Sequence, residues 1–361
     1  MTLSVAIVGV GLVGSEFVKQ TLPLVKSHVI RIVGLSTSRK SLFAASGLDV
    51  VDADWKTALS SSVIAASPES LLGNLGKLVD DGEKTVLIDN TSSDDIAALY
   101  PRFLRAGISI ITPNKKAYSS SLSLYYDILS ASTKTGARIL NEATVGAGLP
   151  IISTLRDLVA TGDNVRKIEG VLSGTLSYIF NEFSTVQGTG PSFSSVVKIA
   201  REKGYTEPHP GDDLNGADVA RKLTILSRLI PSLKDKLAEG YKSVSTTSLV
   251  PKDLEGLSGD DFVSRLAEFD SHFEELRASA KKENKVLRYV GVINAETNEI
   301  KASLEKYPAD HPFATSLGGS DNIIAFHTER YGARPLIVQG AGAGAAVTAM
   351  GVLSDTLRLL D

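Results

Sequence analysis

The sequence contains no cysteine, one tryptophan, two methionines and five histidines. Without cysteine there is no disulfide, no thiolate nucleophile and no thiolate-bound metal. The histidines form no HxxxH pair, so the usual ligand spacing of a catalytic zinc is missing as well. No apolar run is long enough to span a bilayer without interruption. The N-terminus has no basic run and its apolar stretch is broken by glycines, so no secretory leader is expected and a cytoplasmic location is the default. Charge of one sign is scarce too. A net charge of −3 argues against a nucleic acid or an anionic membrane as the main partner. What remains is a 361-residue chain, 43% hydrophobic and 22% charged, without repeats or low-complexity segments. That describes a globular protein long enough for two domains.

The N-terminal half carries a nucleotide signal. "LSVAIVGVGLVG" is a β-branched run followed by Gly9, Gly11 and Gly14, and "SEFVKQTLPLV" continues with helical spacing. A strand, a GxGxxG turn with Leu12 and Val13 inside it, and then a helix make the dinucleotide fingerprint. A pyrophosphate sits on such a helix N-terminus. The competing reading is a glycine-rich turn that binds nothing. The second strand, "VIRIVGLSTSRKS", ends without the acid that would hold an adenosine ribose. It offers Arg39 and Lys40, which suit a 2′-phosphate but also suit a solvated loop. Two further strands end in "DNTSS" and "TPNKKA", which aims Asn90, Thr91, Ser92, Asn114 and Lys115 at the same crevice. For "TPNKK" an exposed turn is the alternative. "NEATVGAGLP" places Glu142 before small residues and Pro150. Carbonyls beside a carboxylate suit a hard cation, but from the residues alone a bare linker is preferred.

After Ile151 the pattern changes. Helices are expected at "PIISTLRDLVATG" and "LSYIFNEFST", and strands at "VRKIEGVLSGT", "KVLRYVGVIN", "EIKASLEKY", "NIIAFHTERY" and "PLIVQGAG". The turns "AETN" and "GARP" join two pairs of strands as hairpins. "DDFVSRLAEFDSHFEELRASAKKEN" reads as one charged amphipathic helix. The expected fold class is α/β: a Rossmann domain over 1–150 and an α+β domain with a mixed sheet over 151–339. A glycine loop and helix over 340–361 would return to the nucleotide domain.

The stretch "GYTEPHPGDDLNGADVARK" packs Glu207, Asp212, Asp213 and Asp218 ahead of Lys222. With Asn215 as cap and 100° per residue, Lys222 falls in the apolar arc with Val219, Leu226 and Leu229, one turn from Asp218. Arg221 and Arg228 fall on the other side. An ordinary surface ion pair is the bland reading, and the apolar neighbours argue against it. A lysine drawn into apolar surroundings can exchange protons near neutrality. A dinucleotide site with a positioned lysine suggests hydride transfer at an alcohol carbon, where the developing oxyanion needs a proton donor or cation. The acidic loop would then hold a cationic part of the substrate.

Seven segments now align with one family. "GVGLVG", "DNTSS", "TPNKKA", "EATVGAGLPII", "EGVLSGTLSYIFNEF", "GYTEPHPGDDLNGADVARK" and "QGAGAGAAVTA" occur in order, and together they resemble homoserine dehydrogenase, closely its short fungal type. The resemblance implies reduction of L-aspartate 4-semialdehyde to L-homoserine on the way to threonine and methionine. It implies NADP as cofactor, with NAD possible, a sodium ion and a homodimer formed by the substrate domain. It gives Lys222 the catalytic role, with Lys115 as a second lysine, and Glu207, Asp213, Asp218 and Thr175 to the substrate. Glu142, Val145, Ala147 and Leu149 match the sodium loop, which reverses the linker preference. Gly344 matches a glycine that touches the cofactor, and His311 lies in a loop the family places near the site. No kinase precedes the first strand and no regulatory domain follows, so feedback through a separate module is not expected. Two other classes stay open: another amino-acid semialdehyde reductase, and a nucleotide sensor without catalysis.

Overall fold

The β-branched run Leu3–Val8 forms strand β1, buried at every position. It lies at the centre of a six-stranded sheet with β2 (Ile30–Ser36), β3 (Ser41–Phe43), β4 (Thr85–Asp89), β5 (Ser109–Ile111) and β6 (Ile139–Leu140). The order is β3-β2-β1-β4-β5-β6. All pairings are parallel except β2–β3, a short hairpin. The chain therefore reverses direction across β1 and β4, and ligands of such sheets sit beyond the carboxyl ends of those strands. β1, β2 and β4 are buried along almost their whole length, as the inner strands of a parallel sheet are. The core joins Val5, Ile7, Ile32 and Ile88 to Phe17 of the glycine-loop helix (Leu12–Lys26) and to Ala349 and Val352 of the C-terminal helix (Ala345–Leu357).

These are features of a computed structural model that describes residues 2–360. The chain divides into two compact units, 1–148 with 344–361, and 149–343. The sequence boundary at 339/340 falls inside the strand Leu336–Ala341, so residues 340–343 stay with the second unit.

The second unit is built on β7 (Val165–Val171), β8 (Ser245–Thr246), β9 (Lys285–Asn294), β10 (Glu299–Pro308), β11 (Asp321–Thr328) and β12 (Leu336–Ala341), in the order β12-β11-β7-β9-β10-β8. The sheet is antiparallel except where β8 joins β10. Both hairpins occur as the turn chemistry predicts, with Asn294 opposite Glu299 and Phe326 opposite Leu336. The helices Gly174–Phe183 and Ala217–Ser227 pack on β9. Gly291 makes room for the second of these, because a Cβ there would lie 2.7 Å from Leu223. Strand alternation then turns Val290 and Val292 to the opposite face, where they meet Val171, Ile323 and Phe313.

Three expectations are corrected. The charged amphipathic segment is not one helix: Gly259–Arg265 and Asp270–Lys282 are separated by a 3₁₀ turn at Leu266–Phe269. Phe262, Leu266 and Phe273 are all buried, so both pieces keep the apolar stripe that the spacing indicates. The lysine helix, Ala217–Ser227, is capped at Gly216 and not at Asn215, although the Asn215 side chain accepts from the Ala217 N–H at 2.8 Å. Arg228 is buried rather than turned to solvent, because this helix is enclosed on nearly all sides. Among the described residues no helix is long and apolar enough to cross a membrane.

Candidate active site

In the first unit the glycine turn is shaped by close approach. Gly9 stands at φ 86°, and a Cβ on Gly14 would lie 2.2 Å from the Gly9 carbonyl oxygen. A Cβ on Gly11, in contrast, would point into open space. The turn is thus tight where it packs on itself and clear where a pyrophosphate would lie. Leu12 is 83% exposed at the start of the helix. Val13 packs against the core. The helix has no acid in its first turn to compete with an anion. Beside the turn, both polar atoms of the Asn90 amide are buried without a partner among the described residues, and its Nδ2 would be 3.5 Å from a Cβ on Gly14. A buried amide without partners is costly, and a bound dinucleotide would supply them. The residues present fit that group.

The neighbouring loops differ in what they leave available. The Thr91 hydroxyl is turned inward: it donates to Asp89 Oδ1 at 2.6 Å and accepts from the Ser93 N–H at 3.1 Å. Its methyl group faces the glycine turn, where a Cβ on Gly9 would come within 2.8 Å. Ser92 is exposed. In the β2–β3 hairpin the backbone N–H groups of Arg39 and Lys40 both donate to Thr37 Oγ1. The Lys40 ammonium donates to the Ser60 carbonyl. Arg39 is exposed. Lys115 is half-buried at the start of the short helix Lys116–Ser119. Gly344, at φ 120°, begins the C-terminal helix, which packs on the glycine-loop helix through a Gln20 bond to the Ala346 carbonyl at 2.9 Å.

Glu142 is 4% exposed, and its carboxylate meets Arg358 Nη1 at 3.2 Å. The same guanidinium reaches Asp355 at 3.0 Å, and Asp355 accepts from the Glu142 N–H at 2.8 Å. Val145 and Ala147 follow, both buried, with Ala147 at φ 55°. A non-glycine residue in that region carries backbone strain of roughly 1–3 kcal/mol. The Ala147 carbonyl oxygen would lie 2.9 Å from a Cβ on Gly351. Leu149 opens the second unit and packs against Gly340 there.

In the second unit the lysine helix delivers what its spacing promises. Lys222 is 6% exposed, and its Nζ meets Asp218 Oδ2 at 2.8 Å. Nζ also donates to the Leu172 carbonyl at 2.6 Å, at the end of β7. Asp218 keeps its carboxylate 44% exposed, so the pair opens outward on the acid side. Next to it, Asp213 accepts from the Glu207 N–H at 2.8 Å and meets the Thr175 hydroxyl at 2.8 Å. That hydroxyl also lies 2.6 Å from the Tyr205 carbonyl. One hydroxyl has one proton to give, so both contacts are satisfied at once when Asp213 is protonated. Burial, with Glu207 and Asp218 nearby, raises the Asp213 carboxyl to about 6 despite its hydrogen bonds. Glu207 is exposed. His209 pins the loop: Nδ1 accepts from the Gly211 N–H and Nε2 faces the Leu257 carbonyl, both at 3.0 Å.

The structure thus gathers Thr175, Glu207, Asp213, Asp218 and Lys222 in the second unit, and the glycine turn, Thr91 and Lys115 in the first. His311 caps a different turn. Its Nδ1 accepts from the Phe313 N–H at 3.1 Å, its ring lies 4.7 Å from those of Tyr307 and Phe313, and burial lowers its basicity. Two groups escaped the sequence: the carbonyls of Leu172 and Tyr205, which as backbone atoms leave no trace in residue type.

Comparison with known proteins gives a single answer. Residues 150–357 match the family described as homoserine dehydrogenase, and residues 9–142 match its NAD binding domain. The homoserine dehydrogenase of Saccharomyces cerevisiae is 46% identical over 99% of this chain and 98% of its own length. That of Schizosaccharomyces pombe is 45% identical over 99% and 96%. A Candida auris crystal structure of unknown function superposes with a TM-score of 0.91, at 45% identity over 99% and 98% of the two chains. A hyperthermophilic archaeal homoserine dehydrogenase in complex with NADPH shares the fold, with a TM-score of 0.71 at 21% identity over 99% and 97%. With both halves matched in order, and fungal relatives matched over nearly their whole length, the chain belongs to the homoserine dehydrogenase family and is an oxidoreductase.

Proposed function

We propose that the protein interconverts L-homoserine and L-aspartate 4-semialdehyde, on the route to threonine and methionine, with Lys222 as the proton-transfer group. The observation that carries this is Lys222 itself, a buried ammonium aimed by Asp218 and the Leu172 carbonyl. A nicotinamide cofactor, when bound, would supply or accept the hydride. Lys222, charged, gives a proton to the oxygen as the aldehyde is reduced, or takes the hydroxyl proton when neutral in the reverse direction. Asp218 orients Lys222 and shares the substrate with Glu207 and Asp213, whose carboxylates hold its ammonium group, while Thr175 fixes Asp213. Lys115 is the second lysine at the substrate and cofactor. Gly9, Gly11, Leu12, Val13, Gly14, Thr91, Ser92 and Gly344 would hold the dinucleotide. The exposed Arg39 favours NADP over NAD, with Lys40 in support.

Sodium belongs to this reading. Val145, Ala147 and Leu149 would offer carbonyls and Glu142 a carboxylate, and the strained Ala147 backbone supports a loop shaped for an ion. The reading also includes a cytoplasmic homodimer. The test is loss of NADPH absorbance with L-aspartate 4-semialdehyde. Oxidation of NADPH should need that substrate, and a plain aliphatic aldehyde should not replace it. Equal turnover of both would favour a reductase that does not read the amino-acid end.

A further inference from the structure

Asp89 ends β4 with no exposed surface. It opens the DNTSS segment. Among the described residues, the donors to its carboxylate are neutral. Oδ1 accepts from the Thr91 N–H at 2.8 Å and the Thr91 hydroxyl at 2.6 Å. Oδ2 accepts from the Tyr100 hydroxyl at 2.6 Å and the Asn114 amide at 3.0 Å. A buried carboxylate is expensive unless such donors fill its lone pairs, so each donor is held firmly in place. Burial, with Asp89 beside it, pushes the Tyr100 phenol well above its ordinary range, so Tyr100 stays a donor.

The donors come from both loops at the carboxyl end of the sheet. Thr91 belongs to the loop after β4 and Asn114 to the loop after β5. Thr112 adds a second tie, donating to the Asp89 carbonyl at 2.8 Å and accepting from the Asn114 N–H at 2.8 Å. The Asn114 amide is thereby oriented: Nδ2 also donates to the Ser93 carbonyl, and Oδ1 accepts from the Lys116 N–H, both at 3.0 Å. Lys115 lies between these two anchors. Its carbonyl accepts from the N–H groups of Tyr118 and Ser119 at 3.1 and 2.9 Å and from the Ser119 hydroxyl at 2.8 Å. Its backbone is fixed on both sides.

We propose that Asp89 is a positioning residue that sets Lys115 against the dinucleotide loop, through Asn114 on one side and Thr91 on the other. The inference rests on the reading that Lys115 serves the reaction. Asp89→Asn separates the two halves of the clamp. Its remaining oxygen still accepts from Thr91, whereas its new NH₂ faces the NH₂ of Asn114, donor against donor. The Thr91 side survives and the Lys115 side fails.

The test measures NADPH affinity by fluorescence and turnover with aspartate semialdehyde, in Asp89→Asn and in Asn114→Ser. Asn114→Ser reports the same link should Asp89→Asn fold poorly. Expected is an NADPH dissociation constant close to that of the unmodified protein, with kcat lower by about tenfold to a hundredfold, the scale of a small misplacement of a reacting group. Unchanged kcat in both variants overturns the inference. So does loss of NADPH binding in step with kcat, which would mark Asp89 as a general support of the domain. Lys115→Ala, measured alongside, tells the failures apart. If it turns over normally, the role of Lys115 and this inference fall together. If it is impaired while the Asp89 and Asn114 variants are not, this inference falls alone.

Discussion

Lys222 is held by contacts of different kinds, among them the Asp218 carboxylate and the Leu172 carbonyl. Neither replaces its proton chemistry. Lys222→Ala should lose about 10²–10⁴ in kcat, the usual worth of a positioned acid or base, while folding and binding NADPH. Lys222→Arg should also fail, because arginine stays protonated. Near-normal kcat in Lys222→Ala, with the basic limb of the homoserine-oxidation profile lost in Lys115→Ala, would transfer the role to Lys115. Asp213 gives a second prediction. Its carboxyl is raised to about 6, burial being the main cause. For such a group the folded protein favours the protonated form: the stability it contributes is complete below the unfolded value of 3.8 and is lost as pH rises through about 6. Binding of an ammonium group runs the opposite way, because it needs the ionised carboxylate. KM for homoserine should therefore fall as pH rises through about 6, and Asp213→Asn should remove that limb. A limb that persists in the variant would assign it to another group. The Lys222–Asp218 pair was legible because a helix puts residues four apart on one side. Leu172 was not, since a strand fifty positions earlier brings its carbonyl to the lysine.

At the scale of elements, β-branched and apolar runs between turn residues made most strands of both sheets readable, and the two hairpins followed from "AETN" and "GARP"; β3, β6 and β8, two or three residues each, were too short to leave such a signal. The helical wheel failed at Arg228 because it assumes one wet face, and this helix has almost none. The cap of the lysine helix was misplaced for a related reason. Gly216 is needed at φ 76°, and a Cβ there would lie 2.0 Å from the Tyr289 hydroxyl, from a strand far along the chain. Gly216→Ala should destabilise the protein by roughly 1–3 kcal/mol or more, the cost of a strained backbone plus a clash. It should also lower turnover, because Lys222 rides on that helix. An unchanged melting temperature would mean that Tyr289 yields easily. The β2–β3 hairpin carries its own prediction. Arg39→Ala removes an exposed guanidinium from the site expected for a 2′-phosphate. A charge-assisted bond of about 1.5–3 kcal/mol corresponds to a rise in NADPH KM of about tenfold or more. NADH should be little affected, and Lys40→Ala should do less, since Ser60 already engages that ammonium. Equal losses for both cofactors would detach Arg39 from the phosphate.

For the whole molecule, composition implied two domains, and the chain forms two compact units that part near 148/149 and 343/344. What composition could not show is which surfaces stay uncovered. In the second unit, helices take one face of the sheet. The other face holds Val171, Val290, Val292 and Ile323, with Phe313 and Leu317 over part of it. Further along that face Glu169 is held by Lys167 at 2.8 Å, Tyr307 at 3.0 Å and His327 at 3.0 Å. Burial alone would raise the Glu169 carboxyl, but these bonds outweigh it and hold it at about 2. Toward the edge Ile337, opposite Ala325, is 40% exposed. An antiparallel sheet with an apolar, partly open face is a natural seat for a second copy of itself. A two-fold axis there would present each such residue to its equivalent region on the partner. Ile337→Glu would then place an unpaired carboxylate in the interface twice. The unmodified protein should sediment at twice the chain mass and the variant at the chain mass, with the variant's second unit still folded by circular dichroism. A monomeric unmodified protein, or an Ile337→Glu variant that dimerises as tightly as before, would move the interface away from this face.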